Sequence, residues 1–171
     1  MLKLILPAPE HKEAVMAYKE EFLINGDSMD GTGGLRGAES FEDWFAMWRA
    51  NLSEETVRPG FVPATTYLAV DEGGRLVGMI DIRHRLNERL LQFAGHIGYS
   101  VRKSCRRRGY ATEMLRLALA ECKKLGIERA LVTCDKENIA SAKTILNNGG
   151  VLENEIPEDG GITQRYWIEL A

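Results

Sequence analysis

The sequence predicts a single α/β (α+β) domain built on a mixed sheet. Two observations support this fold class. Runs with β periodicity alternate with helical runs in the order β-α-α-β-β-β-α-β-α-β-β, which is typical of a sheet covered by helices. The chain of 171 residues shows no repeat and no linker, and its 44% hydrophobic content is enough to bury a core. We therefore expect one domain over residues 1–171.

The first part of the chain predicts a strand, two helices and a long loop. Residues 2–6 form a short strand that Pro7 ends, and apolar residues at helical spacing predict a helix over about 10–23. The glycine-rich stretch 26–37 has no periodicity, and long loops of this kind often bind ligands. A second helix follows a Ser40 cap, and its aromatic stripe is expected to pack in the core: Phe41, Trp44, Phe45 and Trp48.

From Thr65 onwards the pattern becomes mainly β. Strands are predicted over 65–71 and 75–83, joined by a Glu72-Gly73-Gly74 turn, and a third strand covers 95–101. A helix then runs from Ala111 to Leu125, with Gly126 at its end. The remaining elements are a strand over 129–135, a helix over 138–148 and a closing hairpin of 151–156 with 163–170.

Composition excludes several classes of protein. The net charge of -3 disfavours a polybasic nucleic-acid binder. The apolar start, Met1–Leu6, is too short for a signal peptide or a membrane span, so we expect a cytoplasmic protein with no membrane partner. Three widely spaced cysteines and three scattered histidines give neither a disulfide framework nor a metal-ligand pattern, and no metal is expected.

The most informative segment joins the strand 95–101 to the following helix. Five cationic side chains lie between Arg102 and Arg108 in a chain that is acidic overall, and Gly109 follows them. A helix N-terminus presents free N–H groups and the positive end of the helix dipole, while a glycine lets the backbone approach a phosphate closely. This segment therefore predicts an anion site of the kind that holds a polyphosphate.

The same segment resembles the GNAT superfamily of acyl-CoA-dependent N-acetyltransferases. Arg106-Arg107-Arg108-Gly109-Tyr110-Ala111 matches the R/Q-x-x-G-x-G/A motif, with Val101 five residues before it. Asn138-Ile139-Ala140-Ser141 is similar to the second motif of the family, and Gly149 also matches. The resemblance covers about residues 65–171. Its closing Arg165-Tyr166-Trp167-Ile168 is similar to a group of bacterial acetyltransferases of unassigned substrate.

The resemblance implies a fold and an activity. It implies a central mixed, mostly antiparallel sheet flanked by helices, with residues 1–64 as a variable acceptor-side segment and 65–171 as a CoA-binding core. It also implies transfer of acetyl from acetyl-CoA to the amine of a small molecule or peptide, by direct attack in a ternary complex. We expect the loop 26–37 and residues 86–89 to frame the acceptor site.

The resemblance also assigns residues to the acetyl-CoA site. Backbone amides of the turn before the helix would hold the pyrophosphate, Ser100 and Val101 would bond the pantetheine arm, and the Val101 amide would polarise the thioester carbonyl. Asn138 either contacts the arm or simply caps its helix. The full set is Ser100, Val101, Arg106, Arg107, Arg108, Gly109, Tyr110, Ala111, Thr112, Asn138 and Ser141.

The catalytic residues are less determined by the sequence. An amine with a pKa near 10.4 must lose a proton before it attacks, which calls for a general base. His96 and His84 are the candidates by pKa, with Glu20, Glu21 and Asp81 as alternatives. Many relatives carry a tyrosine as general acid seven residues after the motif asparagine, but Ile145 stands there, and Tyr99, Tyr110 and Tyr166 are the possible substitutes.

Two other functions stay open at this point. The chain could be a binding module that retains the acyl-CoA cleft without turnover, because the acid is replaced by Ile145 and no base is certain. A nucleic-acid binder using Arg102–Arg108 is disfavoured by the acidic total. The closing hairpin offers a strand edge on which a homodimer could form.

Overall fold

The computed structural model of the protein describes residues 1–170. The helices are α1 (Lys12–Asn25), α2 (Phe41–Ala50), α3 (Tyr110–Lys124) and α4 (Ile139–Asn147). The strands are β1 (Lys3–Ile5), β2 (Ala64–Val70), β3 (Leu76–Arg83), β4 (Ile97–Val101), β5 (Arg129–Asp135), β6 (Val151–Glu158) and β7 (Gly161–Glu169).

The seven strands form one mixed sheet in the order β1-β2-β3-β4-β5-β7-β6. Every neighbouring pair is antiparallel except β4 and β5, which are parallel. Helices cover both faces of the sheet. The predicted fold class, a mixed and mostly antiparallel sheet flanked by helices, is confirmed.

The parallel pair β4–β5 barely forms. Its register contains a single partnership, Ile97 with Val132, after which the two strands diverge. The two halves of the sheet are well paired on their own, β1 to β4 on one side and β5 to β7 on the other. A gap therefore opens in the middle of the sheet, beside the carboxyl end of β4.

Two hydrophobic cores hold this arrangement, one on each face. On one face α3 and α4 pack on both halves of the sheet, through Met114, Leu115, Ala118, Ile145, Ile97 and Val132. On the other face α1 and α2 pack on β2 and β3, through Val15, Tyr18, Phe22, Trp44, Trp48, Leu68 and Met79. The aromatic stripe of α2 is thus mostly core, and the Ser40 hydroxyl accepts a hydrogen bond from the Asp43 amide at 3.1 Å, as a capping residue does.

The chief difference from the sequence prediction lies before β4. A strand beginning at Gly95 is expected, but a π-helical turn occupies Leu90–Ala94 and β4 begins at Ile97. Gly95 forms an isolated bridge with Val132 of β5, and the His96 amide donates to the Leu131 carbonyl at 2.7 Å. No helix within residues 1–170 is both long and apolar enough to cross a membrane.

The loop 26–37 lies directly on β4. Gly31 has a φ of +69°, and a Cβ there would collide with the carbonyl oxygen of Gly98. Only a residue without a side chain allows this contact. The loop is thus held against the strand that borders the gap.

We expect Gly31→Ala to destabilise the protein by about 1–3 kcal/mol, because alanine is strained at positive φ and its methyl group displaces the loop from β4. Chemical denaturation followed by circular dichroism measures the difference. Gly37→Ala is the matched control, since it lies in the same loop at an ordinary φ with no atom within 4 Å of its would-be Cβ. Equal stability of the two variants would contradict the close contact.

Candidate functional site

A cleft of about 930 Å³ fills the gap between β4 and β5. Its walls come from the free edges of these strands, the turn that precedes α3, the start of α4, the loop 26–37 and the turn Leu90–Ala94. Most of the residues assigned to a ligand site from the sequence line it: Tyr99, Ser100, Val101, Arg106, Arg107, Gly109, Tyr110, Ala111, Thr112, Asn138 and Ser141. Arg108 does not.

The turn before α3 has the geometry of an anion cradle. Arg107 and Gly109 both have left-handed backbone conformations, with φ of 64° and 78°. The N–H groups of the first turn of α3 have no partner inside the helix, and alternating backbone conformations of this kind direct successive N–H groups into one concavity. A Cβ at Gly109 would have no atom within 4 Å, so the backbone there is open to a ligand.

The cationic side chains around this turn are not equivalent. Arg102 is bound to Glu21 at 2.9 Å and points into the protein, so it does not serve the cleft. Arg106 pairs with Asp27 of the loop at 3.1 Å and donates to the Val101 carbonyl at 2.8 Å. Within residues 1–170 the cations of this segment that form no ion pair are Lys103, Arg107 and Arg108.

The edge of β4 presents alternate backbone groups to the cleft. The Arg102 amide donates to the Val77 carbonyl of β3 at 3.0 Å, so by strand alternation the amides of Val101 and Tyr99 point away from β3 towards the gap. The backbone of Ser100 points the other way, and its carbonyl and hydroxyl both contact the hydroxyl of Tyr18, at 3.0 and 2.8 Å. Val101 can therefore bond a ligand arm through its amide, whereas Ser100 is held by α1.

Tyr99 lies on the opposite wall from the loop, against the start of α4. Its hydroxyl is 2.7 Å from the Ser141 hydroxyl. Burial raises the pKa of Tyr99 to about 12, with smaller contributions from the nearby Cys134 and Asp30, and hydrogen bonds from Ser141 and Thr144 oppose the shift. Tyr99 is therefore a neutral hydroxyl at physiological pH. Asn138 caps α4, its side-chain oxygen accepting from the Ser141 amide at 3.1 Å.

Neither candidate histidine lines the cleft. His96 is buried, and its Nδ1 accepts a hydrogen bond from the Leu131 amide at 2.9 Å. Burial, helped by the charge of Arg83, lowers the pKa of His96 to about 4. His84 lies beyond the end of β3, where its Nε2 is 2.8 Å from the Thr65 hydroxyl. The prediction of a histidine base gains no support from this geometry.

The alternative acids and bases also lie mostly elsewhere. Glu21 binds the Ser104 amide at 2.9 Å as well as Arg102, and although burial opposes the shift, these hydrogen bonds lower its pKa. Asp81 is fully enclosed beside Arg83. The Tyr166 hydroxyl donates to the Gln164 side chain at 2.9 Å, and Tyr166 does not line the cleft. Ile145 is completely buried in the core, packed beneath Gly150.

A second group of cleft residues, named the basin, was missed by sequence reasoning. It comprises Asp30, Arg83 and Phe93, together with Asp135 and Glu158 from the other half of the sheet. The loop 26–37 was expected to frame this region and does so through Asp27, Ser28, Asp30 and Gly31. Residues 86–89 were expected there too, but the turn that follows them supplies Phe93 and Ala94 instead.

Within residues 1–170 no three His, Cys, Asp or Glu side chains are grouped to hold a metal. The cleft can hold a polyphosphate at the α3 end and an extended arm along β4. The Val101 amide is the hydrogen-bond donor next to such an arm. The basin, which contains acidic and aromatic side chains, lines another part of the cleft.

Comparison with known proteins agrees with this geometry. A family model described as an acetyltransferase (GNAT) domain matches residues 3–151. The microcin C7 self-immunity acetyltransferase MccE, in complex with acetyl-CoA and AMP, is similar at a TM-score of 0.71 and 18% identity, covering 98% of this chain and 92% of that one. The protein yncA from Salmonella typhimurium, with its cofactor acetyl-CoA, is similar at a TM-score of 0.70 and 10% identity, covering 99% of this chain and 94% of that one.

A third similar structure is a chimera of the spermidine N-acetyltransferase SpeG from Vibrio cholerae with hSSAT. It gives a TM-score of 0.69 and 12% identity, covering 99% of this chain and 95% of that one. At these identities the similarity concerns the fold. No curated protein sequence matches the chain.

We expect Gly109→Val to weaken acetyl-CoA binding at least about tenfold, because a branched side chain would stand where the backbone meets phosphate. Isothermal titration calorimetry measures the affinity. Gly126→Val is the matched control: it has a similar φ of +82°, open space around it and a place at the far end of α3. Equal affinities in two folded variants would show that the turn does not bind the ligand.

We expect the stability of the protein to fall as the pH drops from about 6.5 to 4, in part through His96. Its folded pKa of about 4 lies below the ordinary value of 6.5, so in this window the unfolded state binds the proton and is favoured. In His96→Asn the amide oxygen can still accept from Leu131, but nothing titrates. Between pH 7 and 4.5 the native protein should lose about 1–2 kcal/mol more than this variant in urea denaturation. Parallel losses would refute the assignment.

Proposed function

Because the chain belongs to the GNAT acetyltransferase family, we propose that it transfers an acetyl group from acetyl-CoA to the primary amine of a small molecule or peptide, by direct attack in a ternary complex. Membership confirms the resemblance drawn from Arg106–Ala111 and the prediction of an acetyltransferase. The observation that carries the proposal is the gap beside β4, which places the Val101 amide next to the anion cradle of α3.

Each part of acetyl-CoA has a matching wall in the cleft. The amides of the turn from Arg107 to Ala111 would bind the pyrophosphate, with Arg107 adding charge and Thr112 a hydroxyl. The pantetheine arm would lie along the free edge of β4 as an additional strand. The Asn138 side-chain oxygen is occupied by its cap, which leaves only its NH₂ group for the arm.

The Val101 amide would act where charge develops. The amine nitrogen attacks the thioester carbonyl carbon, the carbonyl oxygen gains negative charge, and the C–S bond then breaks to leave the amide and the CoA thiolate. A fixed N–H aimed at that oxygen stabilises the tetrahedral intermediate more than the ground state. Tyr18 of α1 would help to keep the Val101 amide in place, because its hydroxyl donates to the carbonyl of the neighbouring Ser100.

Asp30 would take the proton that the ammonium must lose. Its carboxylate lies in the acceptor basin, is held by a hydrogen bond from the Ser28 hydroxyl at 3.2 Å, and forms no ion pair within residues 1–170. The proton passes from the amine to this carboxylate or to water beside it. His96 and His84 lie outside the cleft and are not given this role.

Tyr99 would supply a proton to the departing thiolate and regain one from water in the cleft. It lies across the cleft from the loop, stays protonated because burial raises its pKa to about 12, and is oriented by Ser141. It would thus replace the tyrosine that many relatives carry where this chain has Ile145. A CoA thiol ionises near pH 8.5, so the proton assists the departure of the thiolate without being essential.

The proposed division of the chain follows the cleft. Residues 1–64 contribute the loop that borders the acceptor basin, and residues 65–171 contribute the acetyl-CoA walls. The exceptions belong to the second segment but line the basin: Arg83, Phe93, Asp135 and Glu158.

The activity is tested by following free-thiol release from acetyl-CoA with a panel of amines and peptides. We expect Tyr99→Phe to lower kcat about tenfold while the affinity for acetyl-CoA changes less than twofold, because the hydroxyl acts on the leaving group and not on binding. With the pKa near 12, kcat of the native enzyme should show no loss from Tyr99 below pH 10.

Tyr67→Phe serves as control, since this half-buried tyrosine of β2 does not line the cleft. Acetyl-CoA binding without thiol release for any amine would instead indicate a binding module. An unchanged kcat in Tyr99→Phe would remove the proposed acid.

A further inference from the structure

We infer that the acceptor is an α-amino acid, whose free carboxylate is bound by Arg83 while its amine faces Asp30. This inference rests on the proposed acetyl transfer and specifies its acceptor. Four features of the acceptor basin carry it: a buried ion pair, a guanidinium with a free edge, unpaired carboxylates, and the distance to the Val101 amide.

Arg83 is held in place by a carboxylate in the middle of the sheet. Asp81 is buried on the inner strand β3, its Oδ2 lies 3.0 Å from Arg83 Nε, and its Oδ1 accepts from the Thr66 hydroxyl at 2.8 Å. Burying an ion pair costs several kcal/mol of desolvation for each charge and seldom adds net stability. A charge pair at this position therefore makes sense as a means of fixing the guanidinium.

The fixed guanidinium lies over β4 at the edge of the cleft. A Cβ on Gly98 would be 3.2 Å from Arg83 Nη2 and 3.5 Å from the Gly31 nitrogen, so Arg83 and the loop approach the same point. Nη1 donates to the Ala94 carbonyl at 3.3 Å. Nη2 has no hydrogen-bond partner within residues 1–170, and the side chain is 22% exposed and lines the cleft.

Three carboxylates of the basin line the same cleft as Arg83. Asp30 comes from the loop next to Gly31, Asp135 from the end of β5 and Glu158 from the β6–β7 hairpin. Their hydrogen bonds come from neutral donors, and none forms an ion pair within the described part of the chain. A guanidinium donor and free carboxylate acceptors in one cleft complement a zwitterion. Its carboxylate would face Arg83 and its ammonium group would face Asp30.

The spacing along β4 suits a short zwitterion. At about 3.3 Å per residue over nearly three residues, the Val101 amide lies roughly 9 Å beyond Gly98. A carboxylate on Arg83, an amine on the adjacent carbon and a thioester carbonyl on Val101 span such a distance. A simple amine would leave Nη2 without an acceptor in a cleft from which water is displaced, which is unfavourable.

The test compares matched acceptors with the native enzyme. The probes are the L-amino acids, their α-amides and their decarboxylated amines, assayed by thiol release at saturating acetyl-CoA. We expect at least one free amino acid to be acetylated with a kcat/KM at least tenfold above its own amide and its own amine.

The outcomes separate the two proposals. Acetylation of amines or peptides but of no free amino acid, or no preference for the free acid, overturns the inference and leaves acetyl transfer standing. Acetyl-CoA binding without thiol release for any probe, amines and peptides included, overturns acetyl transfer itself.

Arg83→Lys provides the second measurement, since it keeps the charge beside Asp81 but loses the free edge of the guanidinium. We expect the ratio of kcat/KM for the amino acid to kcat/KM for its decarboxylated amine to fall at least tenfold, while KM for acetyl-CoA stays within twofold. Arg85→Gln is the control, because Arg85 pairs with Glu54 at the surface at 2.6 Å. An unchanged ratio in a folded Arg83→Lys would overturn the assignment.

Discussion

The structure depends on one incomplete strand pairing. β4 and β5 share only the Ile97–Val132 partnership, and the candidate site lies where their ladder would otherwise continue. An unpaired strand edge inside a domain is unfavourable unless another group satisfies its amides. The gap is thus a place where the fold leaves hydrogen-bonding capacity for a ligand.

The elements around the gap hold its edges in place. From α1, Tyr18 bonds Ser100 and Glu21 bonds both Arg102 and the Ser104 amide, so the strand and the turn before α3 share one support. The loop 26–37 is fixed by its contact at Gly98 and by the Asp27–Arg106 pair. One helix and one loop therefore serve both the phosphate end and the acceptor end.

The sequence predicted local features well and long-range ones poorly. The order of elements, the Ser40 cap and the glycine turn before α3 are encoded within a few residues, so their patterns were visible. Arg83 and Gly31 both approach Gly98 because the loop folds across β4, and no local sequence pattern predicts this. No local pattern shows that His96 lies outside the cleft, with its Nδ1 accepting from the Leu131 amide. The π-helical turn at Leu90–Ala94 likewise lacks a sequence signature.

The two cores have a consequence for selectivity between acyl groups. Towards the carboxyl end of β4, beyond the single Ile97–Val132 partnership, no backbone ladder sets the separation of β4 and β5. Side chains of α3 and α4, such as Leu115 and Ile145, pack in the same core as both strands. The width of the gap therefore follows from side-chain volume, since protein interiors are close-packed. In the proposed reaction, tolerance for an acyl chain longer than acetyl would be set in the hydrophobic core, by residues such as Leu115 and Ile145 that do not line the cleft.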